Sequence, residues 1–507
     1  MRTKKAFKNI MASMSYQVIS IICGLITPRL LLLAFGSTYN GVVVSATQFL
    51  SMITILNVGI AGATRVALYK TLAVNDVLGT SRIVKANKLY MRKVALCVVV
   101  YAGILCVAYP LFSHNSLPAA ENAALIAIVS ISTFAEYFFG LTNSTLLSAD
   151  QSGYIEYSFR ILSTVLNTLL VALLIKLGCN VFLVKLASSI VFLITPAAMN
   201  FYVKKKYRLI DDCEPDNSAI ENRGAVAFHS VANIIHNNTD LVILTLFTDA
   251  AVISVYSVYY LVVGKIRTLM SVFTNGLEAA FGNMWVKKEH ERLQKTFRVL
   301  EYGLFSFTIV VFSCVGVLLI PFVRQYTSGV HDVNYIVTSL AILVTVTEAM
   351  YCVREPYLIL VQATGNYEAT KRGALIEAAL NMGISLALVI PFGMNGVMFG
   401  TLVANTFRTV QYALFISNRI LQRSLSEIVR RVIWSLLNAG LIIGLGGIVR
   451  DLVTWQEGWM GWICMALVMF GTALAVTAAS SVIFYRNDFL SLFGVLQRML
   501  RRKAKKV

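Results

Sequence analysis

Long apolar runs follow one another along almost the whole chain, separated by short polar connections. A run of about 20–25 residues is long enough for a helix to cross a bilayer. The pattern predicts fourteen such spans, numbered 1–14 in chain order, at residues 8–35, 38–69, 91–112, 122–149, 153–177, 179–203, 224–248, 250–285, 297–322, 333–361, 367–392, 394–420, 427–450 and 459–485. The predicted fold class is therefore an all-α integral membrane protein. Several runs exceed 25 residues, so we expect tilted or extended helices.

The composition is that of a membrane protein rather than a soluble one. Of 507 residues, 57% are hydrophobic and 14% are charged, and the mean hydropathy is +0.71. Soluble domains average about 45–50% apolar and about 25% charged residues. Soluble, disordered, collagenous and disulfide-scaffold proteins are thereby excluded. None of the eight cysteines belongs to a C-x-x-C pair, so we predict no disulfide and no metal site.

The net charge of +19 orients the chain in the membrane. With a cytoplasmic N-terminus and alternating spans, 33 lysines and arginines fall in cytoplasmic segments, whereas only Arg324 and Arg450 fall in the opposite loops. Because positive residues accumulate in cytoplasmic loops, we predict that both termini are cytoplasmic. The charges lie between apolar runs and not on a basic folded face, so we predict no nucleic-acid partner.

The sequence shows neither the long outer loops nor the motifs that are typical of membrane enzymes. The connections on the predicted outer side are short, which argues against a membrane glycosyltransferase. No G-x-x-x-x-G-K-[ST], H-E-x-x-H or G-x-S-x-G motif is present. We therefore predict a non-enzyme with no catalytic residue and no cofactor other than a coupling ion, H⁺ or Na⁺.

Weak sequence repeats indicate an internal duplication. The pattern [ST]-G-x-x-E-x-x-x-R occurs at 152–160 and again at 364–372, 212 residues later. Polar positions of span 1 recur in span 7 with a shift of 220, and Asn57 recurs as Asn275 with a shift of 218. An even number of helices per repeat gives parallel repeats related by an axis along the membrane normal. The predicted organisation is an N-lobe (1–203), a cytoplasmic interlobe loop (204–223), a C-lobe (224–420), spans 13–14 (421–485) and a basic cytoplasmic tail (486–507).

One stretch of the C-lobe resembles a known family. Val361-Gln-Ala-Thr-Gly365-Asn-Tyr-Glu-Ala-Thr through Leu388-Val-Ile-Pro391-Phe-Gly393-Met-Asn-Gly396 is similar to the span 10–12 region of the polysaccharide (Wzx-type) flippases. These flippases belong to the multidrug/oligosaccharidyl-lipid/polysaccharide exporter superfamily, and the resemblance extends over spans 1–12. It implies that two six-helix lobes flip an undecaprenyl-pyrophosphate-linked oligosaccharide across the bacterial inner membrane by alternating access.

The resemblance also implies the partners and the competing functions. The expected partners are the lipid-linked oligosaccharide of a capsule, O-antigen or exopolysaccharide, membrane lipids, a polysaccharide polymerase and glycosyltransferases. The alternatives within the superfamily are a cation-coupled multidrug antiporter and a flippase of the lipid II or teichoic-acid type. A scaffold of a polysaccharide-synthesis complex without transport of its own is a third alternative.

Cations inside spans are candidate ligands for the substrate phosphates, because intramembrane charge is costly and guanidinium binds phosphate oxygens in a bidentate manner. The resemblance implies that spans 1, 2, 7 and 8 border the central cavity. The candidates there are Arg29, Arg65, Lys265 and Arg267. Salt bridges between the lobes are the alternative role. We expect Arg354 to pair with acids of its own span, and Arg160 and Arg372 to pair with the glutamate four residues earlier.

Span 7 carries a polar stripe on one helical face, formed by His229, Asn233, His236, Asn237 and Asp240. Such a face must contact protein or water. One interpretation is a cavity wall in which Asn233 and Asn237 bind sugar hydroxyls and His236 or Asp240 binds a proton. The other is a hydrogen-bonded seam between the lobes. Further candidates for ion coupling are the intramembrane acids Glu136, Glu348 and Glu377.

Overall fold

The computed structural model describes residues 2–210, 212–218, 234, 238–274, 277–452 and 458–504. These residues form helices and no β-strand, with one isolated bridge between His114 and Asp249. Ten helical stretches are long and apolar enough to cross a membrane. One of them, Glu368–Leu421, takes in predicted spans 11 and 12, and another, Lys8–Asn57, takes in span 1 and the first part of span 2. The predicted all-α, multi-pass membrane fold is confirmed.

Contacts divide the chain into two compact units, Met1–Ser257 with Gly329–Val333 and Val258–Ser328 with Asn334–Val507. The helices of the first unit are α1 (Arg2–Ser51), α2 (Ile60–Ala73), α3 (Val77–Phe112), α4 (Ala119–Ala135), α5 (Leu141–Ala149), α6 (Gly153–Lys176), α7 (Val181–Phe192), α8 (Ile194–Tyr207) and α9 (Asn238–Phe247). A 3₁₀ helix (Met52–Asn57) follows α1, and a π-helix (Glu136–Gly140) joins α4 to α5.

Helix α10 (Ala250–Thr274) begins in the first unit and continues into the second. The second unit then contains α11 (Leu277–Val286), α12 (His290–Tyr326), α13 (Thr338–Ala363), α14 (Tyr367–Phe415), α15 (Ser426–Leu452), α16 (Trp459–Phe484) and α17 (Arg486–Ala504). A π-helix (Ile416–Leu421) continues from α14. The predicted lobe boundaries at residues 203 and 224 stay a prediction.

Two glycines bend long helices at places where the sequence pattern separates neighbouring spans. Gly36 in α1 has φ 81° and Gly393 in α14 has φ 54°. Such positive φ angles are unfavourable for a residue that carries a side chain. Span 2, predicted as one continuous helix, is instead interrupted. The 3₁₀ helix and Gly59 lie between its two halves. Gly59 has φ 80°, a left-handed conformation that interrupts the helix before α2 begins.

Left-handed residues recur at matching positions in the two halves. Asn75, Gln151 and Arg208 have φ between 43° and 57°, and Lys288, Gly365 and Gln422 have the same conformation 213 or 214 residues later. The turns also share hydrogen bonds: Ser152 N–H donates to the Leu147 carbonyl, and Asn366 N–H donates to the Val361 carbonyl. Both are Schellman-type helix ends. The structure therefore supports the predicted duplication.

The register of this duplication differs from the one that the motif predicts. The motif aligns Gly153 with Gly365, a shift of 212, whereas the turn geometry aligns Gln151 with Gly365. The reason is that the turn requires a residue in the left-handed backbone conformation, whether or not that residue is glycine. A glutamine occupies that position in the first half.

The turn between α5 and α6 is held by a carboxylate network. Asp150 accepts hydrogen bonds from Lys5 Nζ (3.1 Å), Lys206 Nζ (3.0 Å), Tyr207 (2.7 Å) and Ser152 (2.7 Å). Burial alone would raise the pKa of Asp150, but these four donors lower it to about 2. The carboxylate thus connects the start of α1 to the end of α8.

Candidate functional site

Two arginines of the second unit contact the same aromatic ring. The Arg267 guanidinium on α10 lies 3.9 Å from the centre of the Tyr351 ring on α13, and the Arg354 guanidinium lies 4.4 Å from it. A cation over an aromatic face is attracted by the ring quadrupole, more strongly where water is excluded. Tyr351 therefore holds two positive charges close together inside the helical bundle.

Glu377 of α14 joins two buried arginines. Its Oε1 accepts from Arg354 Nη1 at 2.6 Å, and its Oε2 lies 3.3 Å from Arg408 Nε. The expectation that Arg354 pairs with acids of its own helix is wrong. Glu355, next to it, accepts instead from Thr274 at 3.3 Å. Adjacent residues on a helix point to different sides, so the partner of Arg354 comes from a neighbouring helix.

Arg408 is nearly inaccessible and is held by three further acceptors. Nη1 donates to the Thr370 carbonyl (2.8 Å) and to Gln411 Oε1 (2.6 Å), and Nη2 donates to the Tyr412 hydroxyl (2.6 Å). With both oxygens of Glu377 engaged by arginines, ion coupling at Glu377 would require an ion pair to break. Its coupling role stays a prediction.

Glu348 differs from Glu377 because half of its carboxylate is unsatisfied. The residue is 2% exposed, and Oε1 accepts from the Tyr260 hydroxyl at 3.0 Å. Oε2 is buried without a hydrogen-bond partner in the part of the chain that the structure describes. A buried oxygen in this state is costly unless a proton or a cation binds it. Among the predicted coupling acids, Glu348 therefore has the geometry best suited to bind an ion.

The other predicted cations occupy different surroundings. Lys265 is half-buried on α10 and makes no ion pair with any described residue. Arg29 is half-buried on α1, and Arg65 is exposed on α2. Arg65 likewise has no ion pair among the residues described. The proposed substrate roles of all four cations stay predictions.

The first unit contains a polar cavity of about 400 Å³ around Glu136 and Arg160. Arg160 Nη2 donates to Glu136 at 2.9 Å and Nε donates to Glu156 at 2.9 Å. The predicted Arg160–Glu156 pair is confirmed. Glu136 begins the π-helix, a distortion that often occurs at functional sites. The coupling role of Glu136 stays a prediction.

The prediction that Arg372 pairs with Glu368, as the equivalent pair in the second half, is wrong. Glu368 lies 3.9 Å from Lys371 instead, and both side chains are substantially exposed. At an exposed helix start, two basic neighbours compete for one carboxylate, and either pairing contributes little.

Of the polar stripe on span 7, the structure describes Asp240 alone. His229, Asn233, His236 and Asn237 lie outside the described residues. Asp240 is buried, and its Oδ2 accepts from the Tyr256 hydroxyl of α10 at 2.9 Å. The functions predicted for the stripe stay predictions.

Sequence reasoning missed a buried carboxylate on α12. Glu301 is 0% exposed and accepts from the Tyr357 hydroxyl (2.7 Å) and from both terminal nitrogens of Arg423, with Arg431 at 3.4 Å. Arg431 also binds Asp488 at 3.0 Å. Glu301 lies within predicted span 9, so its position inside an apolar run was a signal that could have found it.

The architecture is that of a polytopic membrane protein with two helical units and a buried arginine–glutamate network. No protein-family model and no curated protein matches the sequence significantly. Solved structures do match: the lipid II flippase MurJ in an inward closed conformation gives a TM-score of 0.69 at 15% identity, covering 94% of this chain and 99% of that chain.

Two further structures extend the comparison. An inward-facing multidrug resistance MATE family transporter of the MOP superfamily gives a TM-score of 0.59 at 15% identity, over 80% of this chain and 94% of the other. A MOP superfamily transporter from Pyrococcus furiosus gives 0.56 at 14% identity, over 82% and 95%. The chain thus has the fold of these transporter and flippase structures.

Proposed function

We propose that this protein is a flippase that moves an undecaprenyl-pyrophosphate-linked oligosaccharide across the cell inner membrane by alternating access. The observation that carries the proposal is Lys265, a half-buried cation within a helix long and apolar enough to cross a membrane, with no ion pair among the described residues. An intramembrane charge is costly and is retained where it serves a ligand. A lysine in this state favours an anionic substrate.

The charge of the surrounding network supports an anionic substrate over a cationic drug. Apart from Glu368, Lys371 and Arg372 at the start of α14, the helices α10, α13 and α14 carry four cations and three carboxylates: Lys265, Arg267, Arg354 and Arg408, with Glu348, Glu355 and Glu377. A cation-coupled multidrug antiporter requires the opposite balance, since its substrate is positive. The P. furiosus transporter, in which reverse polarity of the binding pocket suggests a different function, is a relevant precedent in this fold.

The phosphate end of the substrate is the part that these cations would bind. Arg267 is pre-oriented by its stacking on Tyr351, so little side-chain freedom is lost when a phosphate binds. Lys265, two residues away, leaves α10 about 200° around the helix axis from Arg267, so it adds to the positive field at the phosphate rather than a second contact beside Arg267. Arg29 and Arg65 are the candidates in the first unit. The glycan and the polyprenol chain follow from the sequence resemblance, and the likeness to the lipid II flippase supports a lipid-linked substrate.

Glu348 is the residue that we propose for ion coupling. A proton on its unpartnered Oε2 would remove one negative charge beside Arg267 and Arg354 and so strengthen the positive field felt by the substrate. Release of that proton would weaken the field again. A proton gradient could thereby bias the direction of flipping.

The experiment is a flipping assay with purified protein in liposomes, using a fluorescent polyprenyl-pyrophosphate oligosaccharide. We expect Lys265→Ala and Arg267→Ala each to reduce flipping by about tenfold or more, because each removes a positive charge that attracts the substrate phosphates. Lys176→Ala, an exposed lysine at the end of α6, is the matched control and should flip normally.

Two results would overturn the proposal. Undiminished flipping in both variants would remove these cations from the substrate site. Uptake of a cationic dye by the wild type, without flipping of the lipid, would assign the chain to the multidrug antiporters instead. Protein abundance and unfolding temperature should match the wild type, since a purely structural role would lower them.

A further inference from the structure

A second cationic cavity lies in the second unit, away from the residues proposed for transport. It has a volume of about 720 Å³ and lies between α12, the start of α15 and the junction of α16 and α17. Four arginines line it, together with two carboxylates: Arg298, Arg430, Arg431, Arg486, Glu427 and Asp488. The distribution of lysines and arginines among the loops predicts that this end of the helical bundle lies at the cytoplasmic surface.

The carboxylates at this cavity are already engaged. Asp488 binds Arg298 at 2.9 Å and Arg431 at 3.0 Å, and Glu427 lies 3.8 Å from Arg423. Arg430 and Arg486 are exposed and make no ion pair with any residue that the structure describes. The cavity thus has two arginine charges that its own acids do not neutralise.

A buried donor at the same cavity also lacks an acceptor. Trp434 is 6% exposed and lines the cavity, and its indole N–H has no hydrogen-bond partner among the described residues. A buried indole N–H normally finds an acceptor. Unused donors of two kinds, guanidinium and indole, point to a ligand rich in acceptor oxygens and negative charge.

The remaining wall of the cavity is apolar and faces outward. Ile433 and Leu437 of α15, with Ile483 and Phe484 of α16, line it, and each is more than half exposed. These residues lie on helices apolar enough to span a membrane. A site with arginines at the membrane surface and an apolar wall next to them matches an amphiphile, with an anionic head and hydrocarbon tails.

We propose that this cavity binds the phosphate headgroup of an anionic membrane phospholipid, with its acyl chains along Ile433, Leu437 and Phe484. Arg430 and Arg486 bind the phosphate oxygens and Trp434 donates to one of them. Because these residues come from α15, α16 and the first turn of α17, the bound lipid joins the three helices. The proposal does not depend on the substrate that the protein transports.

The test compares lipid retention by the full-length protein, purified from nanodiscs and examined by native mass spectrometry. We expect phosphatidylglycerol to be retained about tenfold more than phosphatidylcholine, since both headgroups carry a phosphate but the choline group adds a positive charge that the arginines repel. Arg430→Gln/Arg486→Gln should abolish this preference. The control is Arg372→Gln/Arg419→Gln, which removes the same charge at exposed arginines outside the cavity.

Further arms distinguish the sources of phosphate. Inorganic phosphate and ATP at millimolar concentration should not displace the retained lipid. If they bind and phosphatidylglycerol does not, the site takes a soluble phosphate and the lipid proposal is wrong. Equal retention of the two lipids, or an unchanged preference in the double variant, would also overturn it.

A milder variant keeps the test independent of folding. Trp434→Phe keeps an aromatic ring near Tyr302 and Tyr485 but removes the indole N–H. We expect it to weaken retention of phosphatidylglycerol several-fold while the unfolding temperature stays close to that of the wild type. Retention equal to that of the wild type would remove Trp434 from the headgroup site.

Discussion

Replacement of Glu301 by glutamine tests whether this carboxylate is what holds α12 to the segment that follows the second π-helix. The wild-type side chain is fully buried and accepts hydrogen bonds from Tyr357 and from Arg423, with Arg431 at 3.4 Å. Glutamine keeps the volume but removes the negative charge that Arg423 and Arg431 share. Arg423 then retains Glu427, at 3.8 Å, and Arg431 retains Asp488. The loss of one partner from a buried ion pair costs about 3–5 kcal/mol. The ratio of folded to unfolded protein should fall by about two to four orders of magnitude.

The measurement is unfolding of purified protein in mixed micelles, titrated with SDS and followed by tryptophan fluorescence. Glu368→Gln is the matched control, because Glu368 is exposed and lies 3.9 Å from Lys371. Its loss should cost about 0.5 kcal/mol or less. In a double-mutant cycle, Arg423→Gln should cost much less on the Glu301→Gln background than on the wild type. Equal costs on both backgrounds, or a Glu301→Gln variant as stable as the wild type, would refute the reasoning.

Three further predictions concern other parts of the chain. Gly41→Ala should destabilise the protein by about 1–3 kcal/mol in the same SDS titration, since a Cβ there would lie 1.7 Å from the Ala250 carbonyl oxygen. The control Gly62→Ala, at a position with open space around it, should be neutral or stabilising. Asp150→Asn should cost about 1 kcal/mol at pH 7, a value reduced for partial solvation. Because the folded-state pKa of Asp150 is lowered to about 2 from its ordinary value of 3.8, this difference should shrink as the pH falls below about 4 and vanish below about 2. A difference that persists at still lower pH would contradict it. Glu348→Gln should flatten the pH dependence of flipping in liposomes, and an unchanged pH profile would exclude proton coupling at this residue.

Apolar runs predict the membrane-spanning part of this fold well, because a bilayer imposes a fixed length of hydrophobic helix. Predicted span 5 (153–177) and span 14 (459–485) agree with α6 and α16 to within one residue. Helix starts outside the bilayer are less well predicted. α3 begins at Val77 and not at residue 91, since Asp76 caps it by accepting from the Gly79 N–H at 2.8 Å. Hydropathy carries no information about polar helical turns beyond the membrane surface.

Candidate charges could be found from the sequence, but their partners could not. Arg160 pairs with Glu156 as predicted, because both lie on one helix with a fixed spacing. Arg354 pairs with Glu377, which is 23 residues away on another helix. Such a pair depends on how α13 packs against α14, and no local spacing encodes it. The unsatisfied oxygen of Glu348 is likewise a property of packing alone.

The duplicated turns have a consequence for engineering. At one of the recurring left-handed positions the second half has Gly365, whereas its counterpart Gln151 keeps a side chain that this conformation disfavours by about 1 kcal/mol. Lys288 and Gln422 retain the same unfavourable conformation. The second copy of the repeat thus serves as a template for the first at this position, and Gln151→Gly would bring the glycine of residue 365 to its counterpart. Such a chain should tolerate detergent extraction better with no change to its membrane-spanning surfaces.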